Sequence, residues 1–458
     1  MTQPNILFVM TDQQRWDAMG CSSTHEPWLN TPTFDRLAAE GTRFTHCVTT
    51  TPICIPARVT LATGHYPHNN AVWNNIDYTM PGDANNWMRV VRDLGYRTSL
   101  FGKTHLHPHR GDLRDQEPLM NAYGLDDVNE IGGPRASAGV MSHMTSMWQD
   151  KGLLEAYRED FRERFANKPH VARASVLPLS DYADVYVGQQ AKQYLTDYDR
   201  DQPWFCWVSF GGPHEPWDAP EPWASMYEPA TMPKPVTPEQ LDHPRPQGWL
   251  DYYRSRAAHD FDEGDVEACR ANYAGNVSLI DDQVGQILQV IEQRGELDNT
   301  IIAFSSDHGE MNGDYGLTHK MNFLNGALRV PLIVRKPGQV PAVNDSMAEL
   351  VDVGPTLVEL AGGEMPYQQF GQSLVSALDG SEHRDAAISE FRGEFMLMTS
   401  DWKMAVNREG QIYLLFDRQN DPREERNVAG LTEMAGIEKD LLAQLVSRIS
   451  QSQLKTPV

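Results

Sequence analysis

The chain has 458 residues, 40% of them apolar, which exceeds what one hydrophobic core usually fills and leads us to expect two packed units. Its formal charge of −24 argues against nucleic acid and anionic membrane surfaces as general partners, because both reward clustered Lys and Arg, so an anionic substrate would have to meet a local basic pocket. Five cysteines without a C-x-x-C pair argue against a disulfide framework and a thiolate zinc site, and no stretch approaches the roughly 20 apolar residues of a membrane span.

Taken in chain order, β-rich runs bounded by turn residues alternate with helical patterns, the signature of a mainly parallel α/β sheet flanked by helices. The clearest strands are Asn5 to Met10, Arg97 to Phe101, Trp204 to Phe210, Thr300 to Ser305 and Val330 to Arg335. After Asn272, the residues Tyr273, Val277, Ile280, Val284, Ile287 and Ile291 recur at steps of four and three, and Gly295 offers a stop, so a helix is expected there. Residues 130 to 180 and the proline-dense 216 to 246 read as insertions, the latter as a long loop near the sheet rim. Past Gly362 the runs shorten to Phe395 to Thr399 and Gln411 to Phe416, followed by a helical stretch from Glu433 to Ile449. We therefore divide the chain into a large unit, residues 1–365, and a C-terminal subdomain, residues 366–458, with a small antiparallel sheet and a terminal helix.

Ligands of open α/β sheets bind outside the carboxyl ends of the strands. Four of the expected strands lead there into reactive side chains: Asp12 and Gln13, Lys103 and His105, His214, and Asp307 and His308. Carboxylate and amide oxygens suit a hard divalent cation, while Lys and His groups suit anion binding and proton transfer. His105, His107 and His109 alternate and could be read as a separate transition-metal cluster; Pro108 and the Gly102 turn speak against regular geometry there.

Between these strands lies Cys54-Ile55-Pro56-Ala57-Arg58, continuing Val59-Thr60-Leu61-Ala62-Thr63-Gly64. It resembles the type I sulfatase signature C-x-P-x-R followed by x-x-L-x-T-G, with Ile55 and Ala57 at variable positions. Gly102-Lys103-Thr104-His105, Gly212-Pro213-His214 and Thr318-His319-Lys320 resemble further elements of that family, and the likeness extends to Tyr413 to Asp417 and Asn420-Asp421-Pro422. The resemblance implies an alkaline-phosphatase-like α/β fold and conversion of Cys54 to formylglycine by a formylglycine-generating enzyme. It also implies one divalent ion, calcium first and manganese second, on Asp12, Gln13, Cys54, Asp307 and His308.

The same resemblance assigns roles to the remaining polar groups. Lys103 and Lys320 would grip sulfate, Arg58 would stabilise the aldehyde hydrate, and His214 would protonate the departing alcohol. His105 would deprotonate the remaining hydroxyl and Asp307 would help activate the attacking one. Attack on sulfur, loss of alcohol and release of inorganic sulfate is the implied reaction. Gln13 and His308 also resemble phosphonate monoester hydrolases of the same superfamily, which is the rival reading; a non-catalytic carbohydrate-binding protein is the rival from another class. Asn74, Asn75, His107, His109, Arg110 and Trp217 are the candidate substrate contacts, for a small or oligosaccharide sulfate ester. No basic n-region precedes Ile6 to Met10, so the chain as written is expected to be cytoplasmic, or periplasmic if a signal was trimmed. A homo-oligomer is compatible with this reading.

Overall fold

The computed structural model describes residues 3–22, 28–167, 171–239 and 263–455. Among them, nine strands form one sheet: β1 (Asn5–Asp12), β2 (Thr42–Val48), β3 (Arg97–Gly102), β4 (Asp127–Glu130), β5 (Trp204–Pro213), β6 (Thr300–Ser306), β7 (Arg329–Val330), β8 (Leu332–Arg335) and β9 (Ala342–Glu349). Their order is β4-β3-β5-β1-β6-β8-β2-β7, with β9 also on β2. The block β4-β3-β5-β1-β6 is parallel throughout.

Successive side chains of a strand point to opposite faces, and here both faces are covered. Leu7 and Val9 of β1 pack with the long helix Glu263–Gln293 and the helix Ala183–Asp197, whereas Ile6, Phe8 and Met10 pack with the helices Cys54–Thr63 and Trp87–Asp93. Burial on both sides explains why these strands read as continuous apolar runs.

Val330 to Arg335, expected as one strand, is broken by Pro331 into β7 and β8, which run antiparallel to β2. Proline lacks the N–H that a continuous ladder needs. The long helix starts at Glu263, ten residues before Tyr273, where the apolar periodicity becomes obvious, and stops at Gln293 ahead of Gly295 at φ 69.

The expectation of an insertion over residues 130 to 180 is corrected. That stretch contains the helices Gly133–Ser137, His143–Asp150 and Leu154–Asn167, and Ile131, Met144, Trp148, Leu154, Tyr157 and Leu177 belong to the core. Met144 and Trp148 are four apart and Leu154 and Tyr157 three apart, a helical spacing diluted by the surrounding Gly, Ser and charge. Residues 216–239 form a loop with two single-turn helices, and Trp223 lies so close to the long helix that a Cβ on Gly275 would come within 2.1 Å of its carbonyl oxygen. The rest of the proline-dense stretch lies outside the described residues.

Four C-terminal strands, β10 (Ala386–Phe391), β11 (Glu394–Thr399), β12 (Trp402–Val406) and β13 (Ile412–Asp417), make a second, antiparallel sheet in that order. One face packs on the helix Ala435–Gln451 through Leu441 and Leu445, the other on residues between Met311 and Leu328.

Register aligns the ends of the central strands. Gly102 pairs with Ser209, Ser209 with Met10, and Met10 with Ser305, so the chain leaves β3, β5, β1 and β6 at one level. Gly102 has φ 115, and a Cβ there would stand 1.8 Å from the Ser209 carbonyl oxygen; only glycine lets β3 approach β5 at the point where Lys103 begins. Gly102→Ala is expected to cost about 1–3 kcal/mol of stability. A denaturant midpoint equal to that of the parent protein would refute this close approach.

Candidate active site

Position 54 opens a ten-residue helix, Cys54–Thr63, every residue of which is buried. Its N-terminal N–H groups bear partial positive charge. Asn75 Oδ1 accepts from the Ile55 N–H at 2.9 Å, and the helix ends at Gly64 in a left-handed conformation, φ 75. Cys54 Sγ lies 3.1 Å from His308 Nε2, and ligand atoms of Asp12, Cys54, Asp307 and His308 are all within 4.8 Å of one another. The strand-end clusters expected to share one rim do so.

Arg58, one helical turn on, is fully buried between the two carboxylates. Its Nε donates to Asp307 Oδ2 at 2.8 Å and its Nη2 to Asp12 Oδ2 at 3.1 Å, while Nη1 donates to the Lys103 carbonyl at 2.7 Å and to Ser209 Oγ at 3.1 Å. The guanidinium thus ties the ends of β1, β3, β5 and β6 together and braces the carboxylates.

The centre fits a divalent cation. Asp12 Oδ1 is buried and has no hydrogen-bond partner, and two carboxylates and an imidazole face one point. Burial would raise the Asp12 carboxyl, yet Lys103, His214 and Arg58 hold it well below its ordinary range. Burial would lower His308, but Asp307 and Cys54 draw it upward, the mark of a place that attracts positive charge. Gln13, at φ 71, places its backbone N–H 3.1 Å from Asp307 Oδ1; its amide oxygen accepts from Lys320 Nζ and its amide nitrogen donates to Glu215 Oε2 at 2.7 Å and to Glu310.

Above position 54 opens a cleft of about 340 Å³ lined by Lys103, His105, His214, Lys320 and Arg135, among others. Lys103 Nζ sits on Asp12 Oδ2. Burial would raise the Cys54 thiol, but Lys320, His308 and Lys103, with a hydrogen bond from His105, hold it well below its ordinary range, so this site stabilises negative charge on residue 54. Burial, reinforced by Lys103, pushes His105 down to about 3, leaving it uncharged at neutral pH and able to accept a proton.

His214 is more constrained than a lone acid. Its Nδ1 faces the Glu215 carbonyl at 2.7 Å and therefore donates, and its Nε2 accepts from Lys320 Nζ at 2.9 Å. The transferable proton belongs to the Lys320–His214 pair.

Four of the expected substrate contacts lie away from the cleft. His107 and His109 do not line the cleft: their Nε2 atoms turn to Glu130 at 2.7 and 3.3 Å, and their Nδ1 atoms to the carbonyls of Pro108 and Gly132. Glu130 also accepts from the Thr104 N–H and hydroxyl, so this one buried carboxylate organises the loop that carries His105. The three alternating histidines pack ring against ring, His105 stacked on His109 at 4.7 Å and His107 edge-on to His109 at 5.4 Å between centroids, but they divide their polar contacts: His105 turns to Cys54 while His107 and His109 face Glu130. Arg110 lies outside on a largely exposed bridge to Asp77, and Trp217 is buried, its ring stacked on His319. Asn74 and Asn75 do line the cleft, with the Asn75 oxygen engaged by Ile55.

Sequence reasoning missed Arg135, Glu130, Glu310 and Arg392. Arg135 pairs with Glu215 at the cleft wall, and Glu310 accepts from the His319 N–H. Glu130 acts on a loop more than twenty positions away and has no periodic signature; only Glu310, directly after His308-Gly309, stood close to a motif.

Comparison with known proteins agrees with this architecture. The family described as Sulfatase matches residues 4–363, and the one described as N-sulphoglucosamine sulphohydrolase, C-terminal, matches residues 313–451. The chain is 29% identical to the multifunctional alkaline phosphatase superfamily protein PehA of Trinickia caryophylli, over 98% of this chain and 95% of that one. It is 30% identical to the choline-sulfatase of Rhizobium meliloti (strain 1021), over 93% of this chain and 82% of that one. Among solved structures, the phosphonate monoester hydrolase of Agrobacterium radiobacter superposes with a TM-score of 0.79 at 25% identity, covering 98% of this chain and 96% of that one. With the family match spanning most of the chain and the strand-end groups gathered around residue 54, this protein belongs to the sulfatase family of the alkaline phosphatase superfamily and is a sulfuric ester hydrolase.

Proposed function

We propose that the chain hydrolyses a sulfate monoester of a sulfated carbohydrate to the alcohol and inorganic sulfate, with residue 54 as nucleophile after its conversion to formylglycine. The observation that carries this reading is the position of Cys54: at a buried helix N-terminus, 3.1 Å from His308 Nε2, at the floor of a cleft walled by Lys103, His105, His214 and Lys320. A hydrated aldehyde there would supply two hydroxyls on one carbon, one to attack and one to release the sulfo group by elimination. A divalent ion on Asp12, Asp307, His308 and the Gln13 amide oxygen, calcium first and manganese second because of the imidazole ligand, would neutralise oxyanion charge and acidify a hydroxyl.

The chain's own groups do the rest. Arg58 holds the Asp12 and Asp307 carboxylates in place. Lys103 and Lys320 offer cations to the sulfate oxygens in a pocket where water is scarce. The Lys320–His214 pair delivers the proton to the leaving oxygen, and neutral His105 takes one from the hydroxyl that remains. His214→Ala is expected to slow esters of poor leaving groups by about 10²-fold or more, and aryl esters of acidic phenols much less. A Brønsted plot of kcat/KM against leaving-group pKa checks this; equal losses across the series would remove the pair from the acid role.

Gln13 and His308, together with the likeness to a phosphonate monoester hydrolase over nearly the whole chain, support a second reading, hydrolysis of phosphonate or phosphate esters at the same site. Lys103 and His105, both on the cleft wall, belong to the Gly102-Lys103-Thr104-His105 segment that resembles the sulfatase element, and this supports sulfate. Comparing kcat/KM for phenyl sulfate and phenyl phosphonate decides: a phosphonate preference of orders of magnitude would reverse the order of the two.

A further inference from the structure

We propose that His107, His109 and Glu130 form a second metal site, for zinc, which shares no ligand with the centre at residue 54. Its occupancy is independent of which ester the cleft takes.

Strand pairing brings the three groups together. Glu130 is the last residue of β4 and pairs with Gly102, the last of β3, from which the chain continues through Lys103 and His105 to His107 and His109. Pro108 separates the two histidines, and both rings turn to the one carboxylate, His107 Nε2 at 2.7 Å from Oε2 and His109 Nε2 at 3.3 Å from Oε1. All three side chains are 2% exposed, so water is all but excluded from these atoms. The alternation in the sequence pointed to His105, His107 and His109; in the fold His105 turns to Cys54 and Glu130 takes its place in the cluster.

The donors and acceptors of this cluster do not balance without a cation. His107 Nδ1 faces the Pro108 carbonyl at 3.0 Å and His109 Nδ1 the Gly132 carbonyl at 3.1 Å. Carbonyls only accept, so both Nδ1 atoms carry protons. A neutral imidazole has no second proton, and each Nε2 is then a lone pair aimed at Glu130. That carboxylate accepts from the Thr104 N–H and hydroxyl and has only lone pairs to offer in return. Protons alone resolve the clash by making both rings imidazolium, two like charges with centroids 5.4 Å apart on one carboxylate, with His105 stacked 4.7 Å from His109. One divalent ion bound by both Nε2 atoms and the carboxylate resolves it with neutral rings. The surrounding contacts are those that metal ligands make: each histidine gives its other N–H to a carbonyl, and the carboxylate is itself hydrogen-bonded.

Two imidazoles and one carboxylate are a set that zinc takes, with water as the fourth ligand, whereas calcium takes about six to eight oxygens. Zinc bonds of about 2.0–2.2 Å put tetrahedral ligand atoms about 3.3 Å apart. His109 and Glu130 stand at that spacing, and His107 needs to withdraw by about half an ångström. Bound there, zinc would tie the end of β4 to the loop that carries Lys103 and His105.

The test titrates calcium-saturated protein with zinc against a chromophoric chelator, in the parent, in His109→Gln and in Asp12→Asn, and adds diffraction at the zinc absorption edge from zinc-treated crystals of the parent. The parent is expected to hold about one equivalent of zinc more than His109→Gln, and Asp12→Asn, altered only at the other centre, should keep that equivalent. An anomalous peak should stand between His107 Nε2, His109 Nε2 and Glu130, and this measurement decides alone if His109→Gln does not fold. No retained zinc, or zinc confined to Asp12, Asp307 and His308, overturns the proposal and leaves the three groups as an imidazolium–carboxylate network.

Discussion

Cys54→Ala is expected to lower turnover of any sulfate ester by about 10⁴-fold or more, the scale seen when a covalent nucleophile is deleted. The fold should survive, because alanine keeps the helix start and removes one buried atom at a cost of about 1 kcal/mol. Circular dichroism and a denaturation curve establish the second half, and kcat/KM for an aryl sulfate the first. The reading needs more than a cysteine, however: Lys103, Lys320, His308 and the helix N-terminus all stabilise negative charge at residue 54, and a thiolate would be favoured there as well. The mass of the peptide containing residue 54 separates the two, since the aldehyde is lighter than the thiol. Full activity from protein carrying an unconverted thiol would falsify the proposed chemistry.

Arg58→Met should be the most damaging change to stability. The guanidinium is wholly buried and holds Asp307 at 2.8 Å and Asp12 at 3.1 Å. Methionine fills similar volume, so the cost arises from charge rather than from a cavity: two buried carboxylates and the Lys103 carbonyl lose their common donor. Removing one partner of a buried ion pair costs about 3–5 kcal/mol. A divalent cation at the same carboxylates should offset part of this, so the gap between variant and parent is expected to be wider in chelator than in millimolar calcium. Denaturant midpoints under both conditions measure it. A gap below about 1 kcal/mol in chelator, or one that calcium does not narrow, would show that Arg58 is not what balances these carboxylates.

Much of the site was legible because its signals are local. A short apolar run followed at once by Asp-Gln, Lys-x-His or Asp-His announces a strand end and its chemistry within a few residues, and the Cys54 segment announces itself within eleven. Failures came where a role depends on partners far along the chain. His107 and His109 look like cleft residues beside His105, yet Glu130, more than twenty positions on, takes them both. Trp217 looks like a sugar platform beside His214, yet its ring is buried against His319. Residues 130 to 180 look like an insertion, yet supply Trp148 and Tyr157 to the core and Arg135 to the cleft.

By itself the sequence determined the layered α/β class, the four strand ends that carry reactive groups and the family to which the chain belongs, because side-chain periodicity and strand-to-loop transitions are properties of neighbouring residues. Tertiary structure decided what those groups do to one another. Parallel register puts the ends of β3, β5, β1 and β6 at one height, the packing of a buried helix brings Arg58 between two carboxylates, and a second sheet reaches over with Arg392. Contacts across hundreds of residues are set by how faces pack and backbones pair, and no local pattern encodes which partner arrives.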